Sequence, residues 1–512
     1  MKRKWRIGTI AALGAFAAAF AFGGLSSARA DELSDLQTNV QALQKEVAQL
    51  QKQQASTAVQ AGSMHAIYRH GSFLLPGTNT SIAVGGYVKL DAFYWLNGGP
   101  VNGNMQAPVG VENGQALLSP LDLHGQKLGG ITFNAPIFNP NSRGNGVLQM
   151  TARESRLRVA TSTPTAWGPV TTFFEFDWLG CNNLSCNNLD NVSSNYLPRL
   201  RHAGGTFGPW LFGQFWGLGT DLEAGPETID FGGPLGEIGK VRIPQIRYTW
   251  KGPIGISAAA DLEEPHTTAW TPQGQIESDS SVAYPALGGI GVPAALAVNP
   301  TKATWPVVNA YWQWDQPWGH LRLYGVLVPN QMQDGRYISQ EYLGYGGGPS
   351  GNFRPGWFGW SKDNITFQFE AGNGMGDWLN GFDHSALATN YGGSGLYGSV
   401  GGPTTAAAAS LIHTTTVTEW GGVVGYQHWW FPNIRSTAYF GMEHQDVPIN
   451  LVGPVQAMLG INKELMSAGV NLLWSPVAFV NTGVEWDWAQ RQTVGNAYGE
   501  ENILEYEFQV MF

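Results

Sequence analysis

From Ile82 to Phe512 apolar side chains recur at every second position, in stretches joined by two sorts of connection, very short and very long. The last stretch is the clearest: Leu504, Tyr506, Phe508, Val510 and Phe512 alternate with Glu505, Glu507, Gln509 and Met511. The same period runs through Ala478, Val480, Thr482, Val484, Trp486 and Trp488, and through Met466, Ala468, Val470, Leu472 and Trp474. Phe174, Phe176 and Trp178 repeat it against Glu175 and Asp177. Successive side chains of a strand point to opposite faces, so each stretch reads as a strand with one apolar and one mixed polar face. A soluble sandwich turns the apolar faces inward, and a membrane barrel turns them outward. Period alone does not separate the two.

The connections do. Short turns recur with an aromatic beside them: Trp167-Gly168-Pro169, Phe207-Gly208-Pro209-Trp210, Trp250-Lys251-Gly252-Pro253, Pro317-Trp318-Gly319, Trp430-Phe431-Pro432-Asn433 and Trp474-Ser475-Pro476, with Trp360-Ser361-Lys362-Asp363 as a seventh. Between them lie long Gly/Asn/Pro-rich segments at roughly 97–146, 180–196, 219–240, 264–302, 329–352, 372–416, 446–463 and 490–501. A sandwich has no reason to sort its loops, whereas a barrel with short turns at one end and long loops at the other does. Aromatics beside the turns suit an interfacial girdle. Seven turns and eight loops make fifteen connections, which predicts a sixteen-stranded antiparallel transmembrane β-barrel over 81–512. Sixteen strands leave an aqueous channel.

Composition fits. Charged residues are 13% of the 512, aromatics 12%, and glycine occupies 68 positions. Soluble globular chains carry about a quarter charged residues. Disorder is excluded by the aromatics. A nucleic-acid partner is excluded by 38 acidic against 28 basic residues, since phosphates need a basic face.

Residues 1–30 read as an export signal. Lys2, Arg3, Lys4 and Arg6 precede an apolar run from Ile7 to Gly24, and Ala28-Arg29-Ala30 supplies the small-x-small cleavage pattern. An uncleaved membrane anchor is the competing reading. Removing five basic residues leaves 23 basic against 38 acidic, a formal charge of −15. No later apolar run is long enough for a membrane helix, so the membrane solution left is the closed barrel.

Residues 31–55 differ from all that follows. Leu33, Leu36, Val40, Leu43, Val47 and Leu50 alternate spacings of three and four, the core positions of a short α-helical coiled coil. It is expected in the periplasm, where it oligomerises the chain, and 56–80 follow as a linker. A lone amphipathic helix is the alternative. Cys181 and Cys186, the two cysteines, are expected to close a small disulfide loop in an oxidising compartment.

Several segments resemble the DcaP-like porin family of the Gram-negative outer membrane. They are Val84-Gly85-Gly86-Tyr87-Val88-Lys89-Leu90-Asp91, Ser155-Arg156-Leu157-Arg158, Leu200-Arg201-His202-Ala203 and Pro226-Glu227-Thr228-Ile229-Asp230-Phe231-Gly232-Gly233-Pro234. The resemblance covers most of 31–260 and the C-terminus, and the loops between about 264 and 416 lie outside it. It implies a homotrimer with an N-terminal coiled coil, a sixteen-stranded barrel in outer-membrane lipid, and passage of small hydrophilic anions such as dicarboxylates. The terminal Phe512 looks like the signal read by the outer-membrane assembly machinery.

A porin needs no catalytic group and no cofactor; it needs a constriction and charges that orient the solute. The third long loop, Gly219 to Lys240, is the candidate constriction, with Asp221, Glu223, Glu227 and Asp230. An exposed loop with solvated acids is the bland alternative. Strand phase places Lys89, Arg156, Arg158, Arg199, Arg201, Arg247 and Arg435 in the lumen, because an Arg or Lys facing mid-bilayer lipid costs roughly 2–4 kcal/mol. Paired arginines suit bidentate binding of a carboxylate; equally, they suit a wall network with Glu154, Glu175 or Asp177. The ten histidines show no His-x-Glu or His-Glu-x-x-His spacing, no Gly-x-Ser-x-Gly elbow is present, and no metal site is expected. Two rivals remain, an outer-membrane barrel enzyme and a secreted, Trp-rich glycan-binding β protein.

Overall fold

The computed structural model describes residues 72–97, 127–128, 131–132, 146–180, 197–239, 242–272, 274–277, 301–334, 337–359, 361–378, 385–391, 405–453, 461–496 and 498–512. The expected signal, coiled coil and Cys181–Cys186 disulfide lie outside them, as does the expected linker up to residue 71; in its described remainder Phe73–Leu74 pairs antiparallel with Ser81–Ile82.

Sixteen antiparallel strands form one closed sheet. They are β1 (Ser81–Asn97), β2 (in two segments, Val147–Thr151 and Arg156–Thr163), β3 (Val170–Gly180), β4 (Leu197–Phe207), β5 (Trp210–Trp216), β6 (Arg242–Lys251), β7 (Ile256–Glu263) and β8 (Val307–Gln316). There follow β9 (Gly319–Gln333), β10 (Ser339–Phe353), β11 (Asn364–Asn373), β12 (Thr418–Phe431), β13 (Ile434–Asp446), β14 (Asn462–Val477), β15 (Val480–Thr493) and β16 (Tyr498–Met511). Each pairs with its neighbours in sequence, and β1 pairs with β16 from Tyr87↔Met511 to Asn97↔Asn502. Closure leaves no sheet edge, the condition for a backbone to cross hydrocarbon in strands.

The faces settle which way the barrel is turned. On β16 Leu504, Tyr506 and Phe508 are 40–43% exposed, while Glu505 and Glu507 between them are 2% and 5% exposed. Apolar side chains point out and charged ones in, the reverse of a soluble sandwich. Trp167, Trp250, Trp430 and Trp474 stand exposed beside the short turns, as a girdle requires. No described helix is long and apolar enough to cross a membrane.

Three expected connections differ. The segment 329–352 is not a long loop: β9 and β10 pair without interruption from Gln333↔Ser339 to Gly319↔Phe353. Gly344 and Gly346–Gly348 carry no side chain to show the period, which hid the strand. Likewise 490–501 shrinks to the turn between Thr493 and Tyr498. At the opposite end β14 runs on through Trp474-Ser475-Pro476, and the turn is Ala478-Phe479. The loops that matched nothing build a small second sheet from Thr268–Thr271, Gly274–Glu277, Leu387–Thr389 and Thr414–Thr416. Two buried apolar clusters fasten it to the strand tops, one around Trp270, Val417 and Val494 and one around Ala269, Met332 and Leu387.

Candidate functional site

The connection from β5 to β6 turns inward. Asp221 Oδ2 accepts hydrogen bonds from His320 Nε2 of β9 (2.8 Å) and Ser350 Oγ of β10 (2.6 Å). Farther on, Asn471 Nδ2 of β14 donates to Glu227 O (2.8 Å). Glu485 of β15 accepts from Ile229 N (2.9 Å) and Asp230 N (3.1 Å), and Lys89 Nζ of β1 donates to Ile229 O (3.1 Å). On its return the loop donates from Leu235 N to Ser467 Oγ (3.1 Å), from Gly236 N to Glu443 Oε1 (2.5 Å) and from Ile238 N to Gln368 Oε1 (2.7 Å). All these wall side chains are buried on the inner face. The loop therefore lies inside the barrel, along the wall from β9 round to β1 and back.

Glycines in the wall make room for it. A Cβ on Gly441 would stand 2.0 Å from Leu235 O, and one on Gly425 would stand 2.8 Å from Pro226 Cβ. Gly236 itself has φ +81° and lies on the backbone of Gly422, a conformation and an approach that exclude a side chain. Apolar contacts fix both ends: Leu218 and Ile238 pack with Tyr311, Tyr324 and Trp378, and Leu235 packs with Phe93 and Trp95.

Of the loop's five carboxylates, Glu237 is buried at 2% exposure, and the four singled out from the sequence separate into two kinds. Asp221 and Asp230 are 3% exposed; the Asp221 carboxylate anchors the loop to β9 and β10, whereas Asp230 Oδ1 accepts from Gly232 N within the loop (3.0 Å). Burial alone would raise the Asp221 carboxyl, but Arg322 and the hydrogen bonds from His320 and Ser350 hold it below the ordinary carboxylate range. Glu223 and Glu227 keep 30% and 38% side-chain exposure. Burial pushes the Glu223 carboxyl up. Glu227 is forked by Arg435 of β13, Nε to Oε2 at 2.6 Å and Nη2 to Oε1 at 2.5 Å. Lys89 is likewise committed beneath the loop, 2.6 Å from Glu154 and 2.9 Å from Asp91. Arg247 reaches Trp216 O (2.7 Å) and Asp261 (3.5 Å). Lys89 and Arg435 thus stand on the loop's own side of the lumen.

The other arginines gather on β2 and β4 around two carboxylates of β3. Glu175 meets Arg158 Nε at 2.6 Å, Arg201 Nε at 2.8 Å and Arg156 Nη1 at 3.7 Å. Asp177 meets Arg199 Nη2 at 2.6 Å and Arg201 Nη1 at 2.8 Å. Among the described residues, four guanidiniums thus share two carboxylates. These pairs form the wall network that was one of the two sequence readings of these residues. Arg156, Arg158 and Arg199 keep 15–20% side-chain exposure, and Arg156 Nε has no hydrogen-bond partner.

Sequence reasoning missed the aromatic floor of this cluster. Phe231, from the loop, lies 4.9 Å from the guanidinium of Arg156, 5.0 Å from Arg201 and 5.9 Å from Arg199. Tyr87 lies 5.4 Å from Arg156 and 5.7 Å from Arg158. Cation–π contact and pairing together hold the guanidiniums splayed into the lumen. The anchors His320, Ser350, Gln368 and Asn471 were also missed, because their only signal is an inward phase on a polar face. Phe512 is 64% exposed, and its backbone exchanges two hydrogen bonds of 3.1 Å with Gly86.

The barrel fold has a counterpart among solved structures. The chain superposes on the outer membrane channel DcaP of Acinetobacter baumannii with a TM-score of 0.59 at 18% identity, over 86% of this chain and 100% of that one. The two share a fold. The anion-selective porin from Comamonas acidovorans aligns over 85% of this chain and 100% of its own, at 8% identity and a TM-score of 0.42. The outer-membrane expressed OmpT of Vibrio cholerae aligns over 86% and 100%, at 8% identity and a TM-score of 0.44. No model of a known protein family matches the chain, and no curated protein matches it.

Proposed function

We propose that this protein is an outer-membrane porin through which small hydrophilic solutes diffuse passively, with a preference for anions such as dicarboxylates. One observation carries the reading. The loop from Thr220 to Gly239 lies along the inner wall, and its Phe231 meets a cluster of four arginines presented by β2 and β4. Such an eyelet narrows a water-filled barrel and gives its field a sign, which is how a pore selects without binding tightly. Bidentate guanidinium groups favour a carboxylate over a halide of equal charge. The homotrimer, the cleaved signal and the periplasmic coiled coil over 31–55 belong to the same proposal, as does Phe512 as the element read during barrel assembly.

Proteoliposome swelling tests it. Vesicles carrying the protein should swell faster in a small dicarboxylate than in a neutral solute of similar size. Equal rates would remove the anion preference, and no swelling in either would remove the pore.

A further inference from the structure

On the wall beneath the loop tip, three carboxylates converge, and among the described residues no Lys, Arg or His forms an ion pair with any of them. Glu485 and Asp487 are successive inward residues of β15, and Glu505 of β16 stands directly opposite Glu485 in the strand register. Like charges directly opposite on paired strands destabilise a sheet. All three side chains are buried, at 1%, 0% and 2% exposure. One oxygen from each lies within 4.8 Å of the others.

The partners of the three differ in a way that points to a ligand. Glu485 is satisfied by Ile229 N, Asp230 N and Asn471 Nδ2. Asp487 Oδ1 accepts from the Tyr439 hydroxyl, and its Oδ2 has no donor. Both oxygens of Glu505 are shielded from solvent and neither has a hydrogen-bond donor. A buried carboxylate without a donor loses several kcal/mol of hydration with nothing returned. Lys89 is engaged by Glu154, Asp91 and Glu507, at 2.6, 2.9 and 3.6 Å.

We propose that Glu485, Asp487 and Glu505 bind a calcium ion that ties the constriction loop to the barrel wall. The donors are all carboxylate oxygens, the set chosen by hard divalent cations, and no nitrogen or sulfur competes. Two ligands of one calcium, each at about 2.3–2.6 Å, stand at most about 5 Å apart, which the three satisfy. Magnesium is disfavoured because it keeps several waters, and the site is enclosed. Glu485 is the joint: its carboxylate holds the loop through Ile229 N and Asp230 N while sharing the ion with Asp487 and Glu505. The ion then stiffens the turn of the loop that places Phe231 under the arginines.

The test needs no transport, so its failure is separable from failure of the porin reading. Full-length protein, purified in detergent and stripped with chelator, is titrated with CaCl2, and binding is read by calorimetry and by bound-metal analysis. TbCl3 is used in parallel, with excitation through tyrosine, because the Tyr439 hydroxyl touches a proposed ligand. The expected result is one ion per chain, a rise in the heat-unfolding midpoint on calcium addition, and terbium emission displaced by calcium. Glu505→Gln should weaken binding by at least about tenfold, as ligand charge sets calcium affinity, while still migrating as a folded barrel before boiling. If Glu505→Gln fails to fold, Asp487→Asn reads the same loss. Wild-type protein that binds no calcium at neutral pH overturns the proposal. Undiminished binding in both variants, the mark of ions on the outer surface, overturns it equally.

Discussion

Gly441→Ala is a one-carbon perturbation with a calculable effect on the pore. The residue faces inward on β13, and its added Cβ would stand 2.0 Å from Leu235 O. Carbon–oxygen contacts settle at about 3.3–3.6 Å, so loop and wall must part by roughly 1.3 Å or more. The wall belongs to a closed ladder, while the loop is held by single hydrogen bonds such as Leu235 N to Ser467 Oγ at 3.1 Å. The loop therefore moves, toward the lumen axis. Overpacking of this kind costs about 1–3 kcal/mol, comparable to one or two of those anchors, so the barrel survives. Single-channel conductance in a planar bilayer should fall, and the heat-unfolding midpoint should drop slightly. Gly325→Ala is the control, since a Cβ there meets nothing nearer than Gly346 O at 3.8 Å. Equal conductance in wild type, Gly441→Ala and Gly325→Ala would refute an in-barrel loop resting on that wall.

Three more outcomes follow from the same contacts. Lys89→Met leaves Asp91 and Glu154 buried without their cation; denaturant unfolding in vesicles should show a loss of about 3–5 kcal/mol, and an unchanged midpoint would count against the pairing. Arg156→Ala/Arg158→Ala removes two of the cluster's four guanidiniums, so dicarboxylate swelling rates should fall toward those of a neutral solute, and an unchanged ratio would place selectivity elsewhere. Asp221 has a folded-state pKa below its unfolded value, so its anchoring is complete above about pH 4 and is lost as pH falls toward the folded value. Channel noise should accordingly rise below about pH 4 in wild type and already be present at neutral pH in Asp221→Asn; a flat acid response would contradict the anchoring role.

What the sequence made legible is what a strand writes into alternation. Leu504, Tyr506 and Phe508 against Glu505 and Glu507 announced both a strand and its two environments, and the aromatic turns fixed the strand count. Glycine broke the signal at 344–348, where β10 runs with no side chain to carry the period. The inward phase of Arg156, Arg158, Arg199 and Arg201 was readable, because charge cannot face lipid. Their partners on β3 were readable too, being in phase on the adjacent strand. The loop's path was not. Contacts such as Asp221 to His320, 99 residues apart, and Ile229 to Glu485, 256 apart, depend on the closure of the barrel, which brings distant strands to one lumen. Phe231 under the arginines has the same origin: nothing local distinguishes it from any loop aromatic.

The arginines of β2 and β4 are proposed to give a water-filled barrel a positive field at its constriction. Reversal potential across a planar bilayer, with wild-type protein in a potassium chloride gradient, tests it most directly. Ohmic channels are expected, with a reversal potential of the sign for chloride preference that shrinks as salt rises, because screening shortens the reach of the cluster. Channels that prefer potassium, or protein that inserts as a folded barrel and conducts nothing, would contradict it.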